Sequence, residues 1–102
     1  MTWTEVANTS EIAAGTAHLV EPNGLRLLLC NTGEGIYTIT DVCTHDGGPL
    51  DQGWLDGNQI ECPRHGARFD VTNGRVLRLP AVRPVKTYPT RVTGESVEVD
   101  LP

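Results

Sequence analysis

The sequence predicts an all-β fold, an antiparallel sandwich or barrel, and three observations carry that expectation. Eleven glycines and seven prolines are scattered along 102 residues, which leaves no room for a long helix. Between them lie short runs rich in Val, Ile, Thr and Tyr, several of them alternating in polarity, as half-buried strands do. The runs are separated by Asn-Gly, Asp-Gly and Gly-Glu steps, the chemistry of tight turns. The length fits one domain over residues 1–102. A core of that size buries only about 60–70% of the unfolded surface, so a metal staple would help to hold it.

Along the chain, TWTEVA (2–7) alternates and reads as the first strand. TSEIAAG (9–15) has a helix-like start, with Ser10 or Thr9 as the cap, and is expected to make one turn at most. AHLVE (17–21) and LRLLLCN (25–31) flank the turn Pro22-Asn23-Gly24, and IYTIT (36–40) follows Gly33 and Gly35. NQIEC (58–62), ARFDV (67–71), the turn TNGR (72–75), TYPTRV (87–92) and SVEVD (96–100) complete the series. The segment 41–80 is expected to project from these strands as loops, with Trp54 in one of them.

The net charge of -5 is unevenly placed. Residues 1–61 hold nine acids and one base, Arg26, whereas residues 62–102 hold four acids and seven bases. An acidic chain with few aromatic rings lacks the basic face and stacking platform of a nucleic-acid binder. Apolar runs are too short to span a bilayer, and the first fifteen residues carry neither a basic leader with an apolar stretch nor a twin-arginine pair. Three cysteines, an odd number, fit a disulfide scaffold poorly. The expected compartment is the cytoplasm.

Four of the six Cys and His residues fall in one stretch: Cys43-Thr-His45, sixteen intervening residues, then Cys62-Pro-Arg-His65. Both pairs follow strand-like runs, so tight loops leaving adjacent strands are expected to bring four ligand atoms to one place. The intervening DGGPLDQGWLDGN offers backbone N–H groups with few bulky side chains. Three chemistries use such residues: a zinc ion, a Cys–His nucleophile or an iron–sulfur cluster. Structural zinc normally takes C-x₂₋₄-C and H-x₃₋₅-H pairs, unlike the mixed pairs here. A nucleophile needs one pair and an orienting third group, which the stretch does not supply.

CTH and CPRHG at this spacing, followed by ARFD and later by GRV, PA and P, resemble the Rieske family, and in particular its small soluble ferredoxins. The resemblance covers residues 41–86. It implies a β-sandwich with a rubredoxin-like cluster-binding subdomain, its loops at about 41–80. It also implies one [2Fe–2S] cluster, with Cys43 and Cys62 on one iron and His45 and His65 on the other. Two neutral imidazoles in place of two thiolates make the centre less negative and easier to reduce, giving about -150 to +300 mV against about -400 mV for all-thiolate plant-type clusters. High-potential relatives in cytochrome bc complexes add a cysteine in each loop and join the two; Gly48 and Arg64 stand at those positions here. They also place Ser and Tyr hydroxyls by the cluster sulfurs, where this chain has Ala67 and Phe69. Fewer hydrogen bonds to sulfur leave the reduced state less stabilised, so the low end, near about -150 mV, is expected.

The same resemblance implies that Gly47, Gly48 and Gly66 give the loops their close backbone geometry, that Leu50 covers the cluster, and that Pro80 shields it from water. It implies a one-electron carrier, not itself an enzyme, that takes electrons from a flavin-dependent reductase and delivers them to a terminal non-haem iron oxygenase of the ring-hydroxylating type. Docking is expected to be transient and to use the histidine tip. Two other readings remain open: the small Rieske-fold subunit of an assimilatory nitrite reductase, and a non-redox metal-binding module. Cys30 reads as a buried strand thiol, His18 as an ordinary strand histidine, and Trp54 as either a docking residue or packing. Arg64, Arg68, Arg75 and Arg78 flank the second loop and are candidates to meet an acidic partner face.

Overall fold

The computed structural model describes residues 2–102. Its strands, in chain order, are β1 (Thr2–Asn8), β2 (Ala17–Val20), β3 (Leu27–Asn31) and β4 (Ile36–Thr40). Then come β5 (Trp54–Asp56), β6 (Gln59–Glu61), β7 (Arg68–Asp70) and β8 (Val76–Arg78). The last three are β9 (Thr87–Tyr88), β10 (Thr90–Thr93) and β11 (Ser96–Leu101). They form three antiparallel sheets ordered β1-β11-β10, β2-β3-β4-β9 and β5-β6-β7-β8.

The second sheet is the middle of the molecule, and β3 explains why. Leu27, Leu28, Leu29 and Cys30 are all buried, although successive strand residues point to opposite faces. Leu28 and Cys30 pack with Ile39, Ile60 and Phe69 in one core, while Leu27 and Leu29 pack with Ile12, Val97, Val99 and Leu101 in another. A strand covered on both faces reads as an unbroken apolar run, and LLLC is that run. By contrast β11 alternates: Val97, Val99 and Leu101 are buried, and Ser96, Glu98 and Asp100 are not.

Four expectations are corrected. The segment 41–80 is not only a set of loops; twelve of its forty residues form the four strands of the third sheet. Trp54 lies on β5, and WLD and QIE pair across a turn containing Gly57, whose φ is +60°. TYPTRV is two strands in two sheets. Pro89, which has no N–H to give a ladder, separates β9 in the middle sheet from β10 in the first. The hydroxyls of Thr90 and Thr38 bond at 2.7 Å across the change of sheet. The short turn Thr9–Glu11 is capped by Asn8, one residue earlier than read. The Asn8 side chain accepts from the Ser10 N–H at 2.9 Å, and the Glu11 carboxylate accepts from the Asn8 N–H at 2.7 Å, a reciprocal capping box.

Candidate metal centre

The two Cys–His loops do not leave adjacent strands. The first follows β4 of the middle sheet and the second follows β6 of the third. Apolar burial brings them together: Cys43, Leu50, Cys62, Ala67 and Phe69 share one core. Their local frames match. The Cys43 N–H donates to the Gly48 carbonyl at 2.7 Å and the Gly47 N–H to the Cys43 carbonyl at 2.7 Å. In the second loop Cys62 donates to Ala67 at 2.8 Å and Gly66 to Cys62 at 3.1 Å. The glycine four residues after each cysteine sits at φ +75° (Gly47) or +78° (Gly66), a backbone region open mainly to glycine. Each cysteine is thus held in a turn closed by its own glycine, and the histidines differ by one position within that frame.

Both thiols are buried and both imidazoles are exposed. The rings of His45 and His65 stand edge to face, 5.3 Å apart and 89° to one another. The sulfurs of Cys43 and Cys62 and a carboxylate oxygen of Asp46 lie within 4.8 Å of one another. Burial raises the Cys43 thiol above its ordinary pKa, while the backbone N–H groups of His45 and Asp46 pull it back. Those N–H groups suit a sulfur that carries charge.

The four candidate donors fall into two pairs. One tetrahedral zinc gathers four donors at about 2.0–2.3 Å from a point. Here two buried thiols form an inner pair and two exposed imidazoles, their ring centroids 5.3 Å apart, form an outer pair. Asp46 is not a free third ligand. It accepts from Arg64 Nε at 2.6 Å, from Arg64 Nη2 at 3.2 Å and from the Gly48 N–H at 2.9 Å. Arg64, then Gly48, holds that carboxyl well below the usual carboxylate range.

The expected neighbours are placed as follows. Leu50, Ala67 and Phe69 are fully buried, and neither Ala67 nor Phe69 brings a hydroxyl. Pro80, half-buried after a cis peptide bond, opens the segment 80–85. That segment reaches the first loop, where the Thr44 hydroxyl donates to the Arg83 carbonyl at 2.6 Å. Sequence reasoning missed Asp41, whose side chain is fully buried. It accepts from the Leu50 N–H at 2.8 Å and from Arg26 at 2.8 Å, so one carboxylate fixes both ends of the first loop. An acid two residues before a ligand pair was the available signal. Asp46, one residue past His45, was another.

Among the flanking arginines, Arg68 is committed within the chain. It donates to Glu61 at 2.8 Å, to Gln59 at 3.2 Å and to Asp56 at 3.3 Å on the outer face of the third sheet. Arg78 lies 3.7 Å from the same Glu61. Arg75 is exposed and forms no ion pair among the described residues. Trp54 stands exposed on the same outer row, opposite Glu61. Cys30 is buried in β3, its pKa pushed up to about 12 chiefly by burial, and His18 is half-buried opposite Leu29.

Residues 2–89 match the family model described as the Rieske [2Fe-2S] domain. A ferredoxin component of a naphthalene 1,2-dioxygenase system from Pseudomonas aeruginosa is 37% identical over 99 residues, 97% of this chain and 95% of its own. The solved ferredoxin of carbazole 1,9a-dioxygenase from Nocardioides aromaticivorans IC177 superposes with a TM-score of 0.91 at 32% identity, covering 97% of both chains. A similar chain occurs in a complex of reduced oxygenase and oxidized ferredoxin in carbazole 1,9a-dioxygenase. It matches with a TM-score of 0.89 at 34% identity over 95% of this chain and 91% of that one.

Proposed function

The chain belongs to the Rieske [2Fe–2S] family, and from that premise we propose that Cys43 and Cys62 hold one iron and His45 and His65 the other in a dioxygenase-type ferredoxin. The protein carries a Rieske-type cluster and serves as an electron carrier, not as the catalyst of the system it feeds. Its partners are a terminal oxygenase and, by the logic of such systems, a flavin-dependent reductase. When bound, the cluster accepts and gives up one electron at a time.

The chain's own residues do the rest. Two buried thiols on the inner side exclude water. Two exposed imidazoles on the outer side present their edges to whatever docks there, and this pairing is the observation that carries the reading. With no hydroxyl from Ala67 or Phe69, the sulfurs receive less hydrogen bonding and the potential stays low in its class. No helix among the described residues is long and apolar enough to cross a membrane. Three unpaired cysteines, two of them needed as thiolates, suit the reducing cytoplasm.

The test is an EPR spectrum of the dithionite-reduced protein with iron and acid-labile sulfide analysis. A rhombic signal of low average g, with two irons per chain, is expected. Stoichiometric zinc in a colourless protein would discard electron transfer.

A further inference from the structure

One side chain ties the two ligand loops together. Arg64, between Cys62 and His65, reaches across to the first loop with every arm of its guanidinium. Nε donates to Asp46 at 2.6 Å, Nη2 to Asp46 at 3.2 Å and Nη1 to the Pro49 carbonyl at 2.9 Å. The plane also covers Gly48, where an added Cβ would come within 2.6 Å of the guanidinium carbon. Asp46 in turn holds its own loop through the Gly48 N–H at 2.9 Å. The side chains of Arg64 and Asp46 are only 32% and 21% exposed. Both residues are exposed overall, and it is the fork that sets this contact apart from single-bonded surface ion pairs.

Resting on the cluster reading above, we propose that Arg64 is a positioning residue. Its fork holds the Cys43–His45 loop in register with the Cys62–His65 loop, and so sets the placement of the two imidazoles. The two loops come from different sheets, and no backbone ladder joins β4 to β6. Between the loops themselves, these three bonds are the side-chain hydrogen bonds present among the described residues. The first loop is otherwise held by Asp41 on the Leu50 N–H and, between its Cys and His, by Thr44 on the Arg83 carbonyl. A lysine keeps the charge and loses the planar fork, so charge and clamp are separable.

The experiment follows the visible absorbance of the oxidised holoprotein during exposure to an iron chelator, with EPR and a redox titration on each protein. Arg64→Ala is expected to lose its cluster about tenfold faster than the wild type, to shift the g values and to titrate at a more negative potential. Arg64→Lys is expected to lose it nearly as fast as Arg64→Ala, with the same altered g values, while its potential stays near that of the wild type. Loss rates and g values for both variants matching the wild type would overturn the clamp, and so would Arg64→Lys matching the wild type alone.

Should Arg64→Ala accumulate no cluster, Gly48→Cys with Arg64→Cys decides. The three atoms nearest a Cβ at Gly48 all belong to the Arg64 guanidinium, which this double substitution removes. Wild-type loss rates with the two thiols cross-linked, and about tenfold faster loss once the cross-link is reduced, are expected. Equal rates in both forms would overturn the proposal. A wild-type protein without iron and sulfide fails the ferredoxin reading itself and takes this inference with it.

Discussion

Leu28 and Leu29 are neighbours in the chain and belong to different cores. Leu28 packs with Cys43, Cys62 and Phe69, and Leu29 packs with Val97, Val99 and Leu101. The middle sheet therefore supports the candidate metal centre with one face and the β1-β11-β10 sheet with the other.

Truncating each leucine separates those two duties. Leu28→Ala and Leu29→Ala are each expected to destabilise the fold by about 2–5 kcal/mol, read from denaturant midpoints. Only Leu28→Ala is expected to broaden the EPR signal of the reduced cluster. An unchanged line shape in Leu28→Ala would show that the inner core does not support the ligand loops.

The ligand assignment is open to direct substitution. Cys43→Ser and Cys62→Ser are expected to abolish cluster assembly, measured as iron and sulfide per chain. His45→Cys or His65→Cys, where a cluster still assembles, is expected to lower the potential, because each thiolate adds negative charge. Cys30→Ser is expected to leave the visible spectrum intact, since Cys30 lies in β3 and is not among the sulfurs that gather at the site, those of Cys43 and Cys62.

Cys30 also gives a pH dependence whose sign is fixed. Its folded pKa is about 12, against about 8.5 for a free thiol. Above about pH 8.5 the unfolded chain loses this proton while the native chain keeps it, so stability falls as pH rises through that window. The slope cannot exceed about 1.4 kcal/mol per pH unit. Comparison with Cys30→Ala between pH 8 and 10 is expected to remove that part of the decline. A thiol reagent at pH 8 is expected to leave Cys30 unmodified in the folded protein.

Three glycines on the third sheet grade the cost of a methyl group. A Cβ at Gly53 would overlap the Glu61 carbonyl oxygen, and one at Gly74 would overlap the Val85 carbonyl oxygen. Gly57 has φ +60° and open space around it. Gly57→Ala is expected to cost about 1 kcal/mol from backbone strain alone. Gly53→Ala and Gly74→Ala, which must displace backbone, are expected to cost at least about twice that. Thermal denaturation of the three variants ranks them.

The strands that alternate cleanly, such as SVEVD, and the doubly covered LLLC were legible because their burial pattern is written in the order of residues. β5 and β8 were not: QIE and RFD are equally short, but neither WLD nor VLR has the fully buried central residue that Ile60 and Phe69 give those two strands. WLD also sits in a stretch whose glycines and acids read as loop. The two Cys–His pairs were legible as a candidate site because thiols and imidazoles are rare and closely spaced here. What ties the loops together was not. Asp41, Asp46 and Arg64 act through distances across two sheets, and a charged residue in sequence carries no mark of the partner that folding will bring to it.

Thr2 pairs with Leu101 at the open end of β1 and β11. That sheet packs against the face of the middle sheet that bears Leu27 and Leu29, opposite the metal-bearing core. The β1-β11-β10 sheet and the candidate metal centre thus lie on opposite faces of the middle sheet, so a label on an outward residue of β11 such as Glu98 would sit across that sheet from the Cys–His loops. Immobilised through that sheet, the protein would offer an electrode one face and a dissolved partner the other, and its electron exchange could be measured one face at a time.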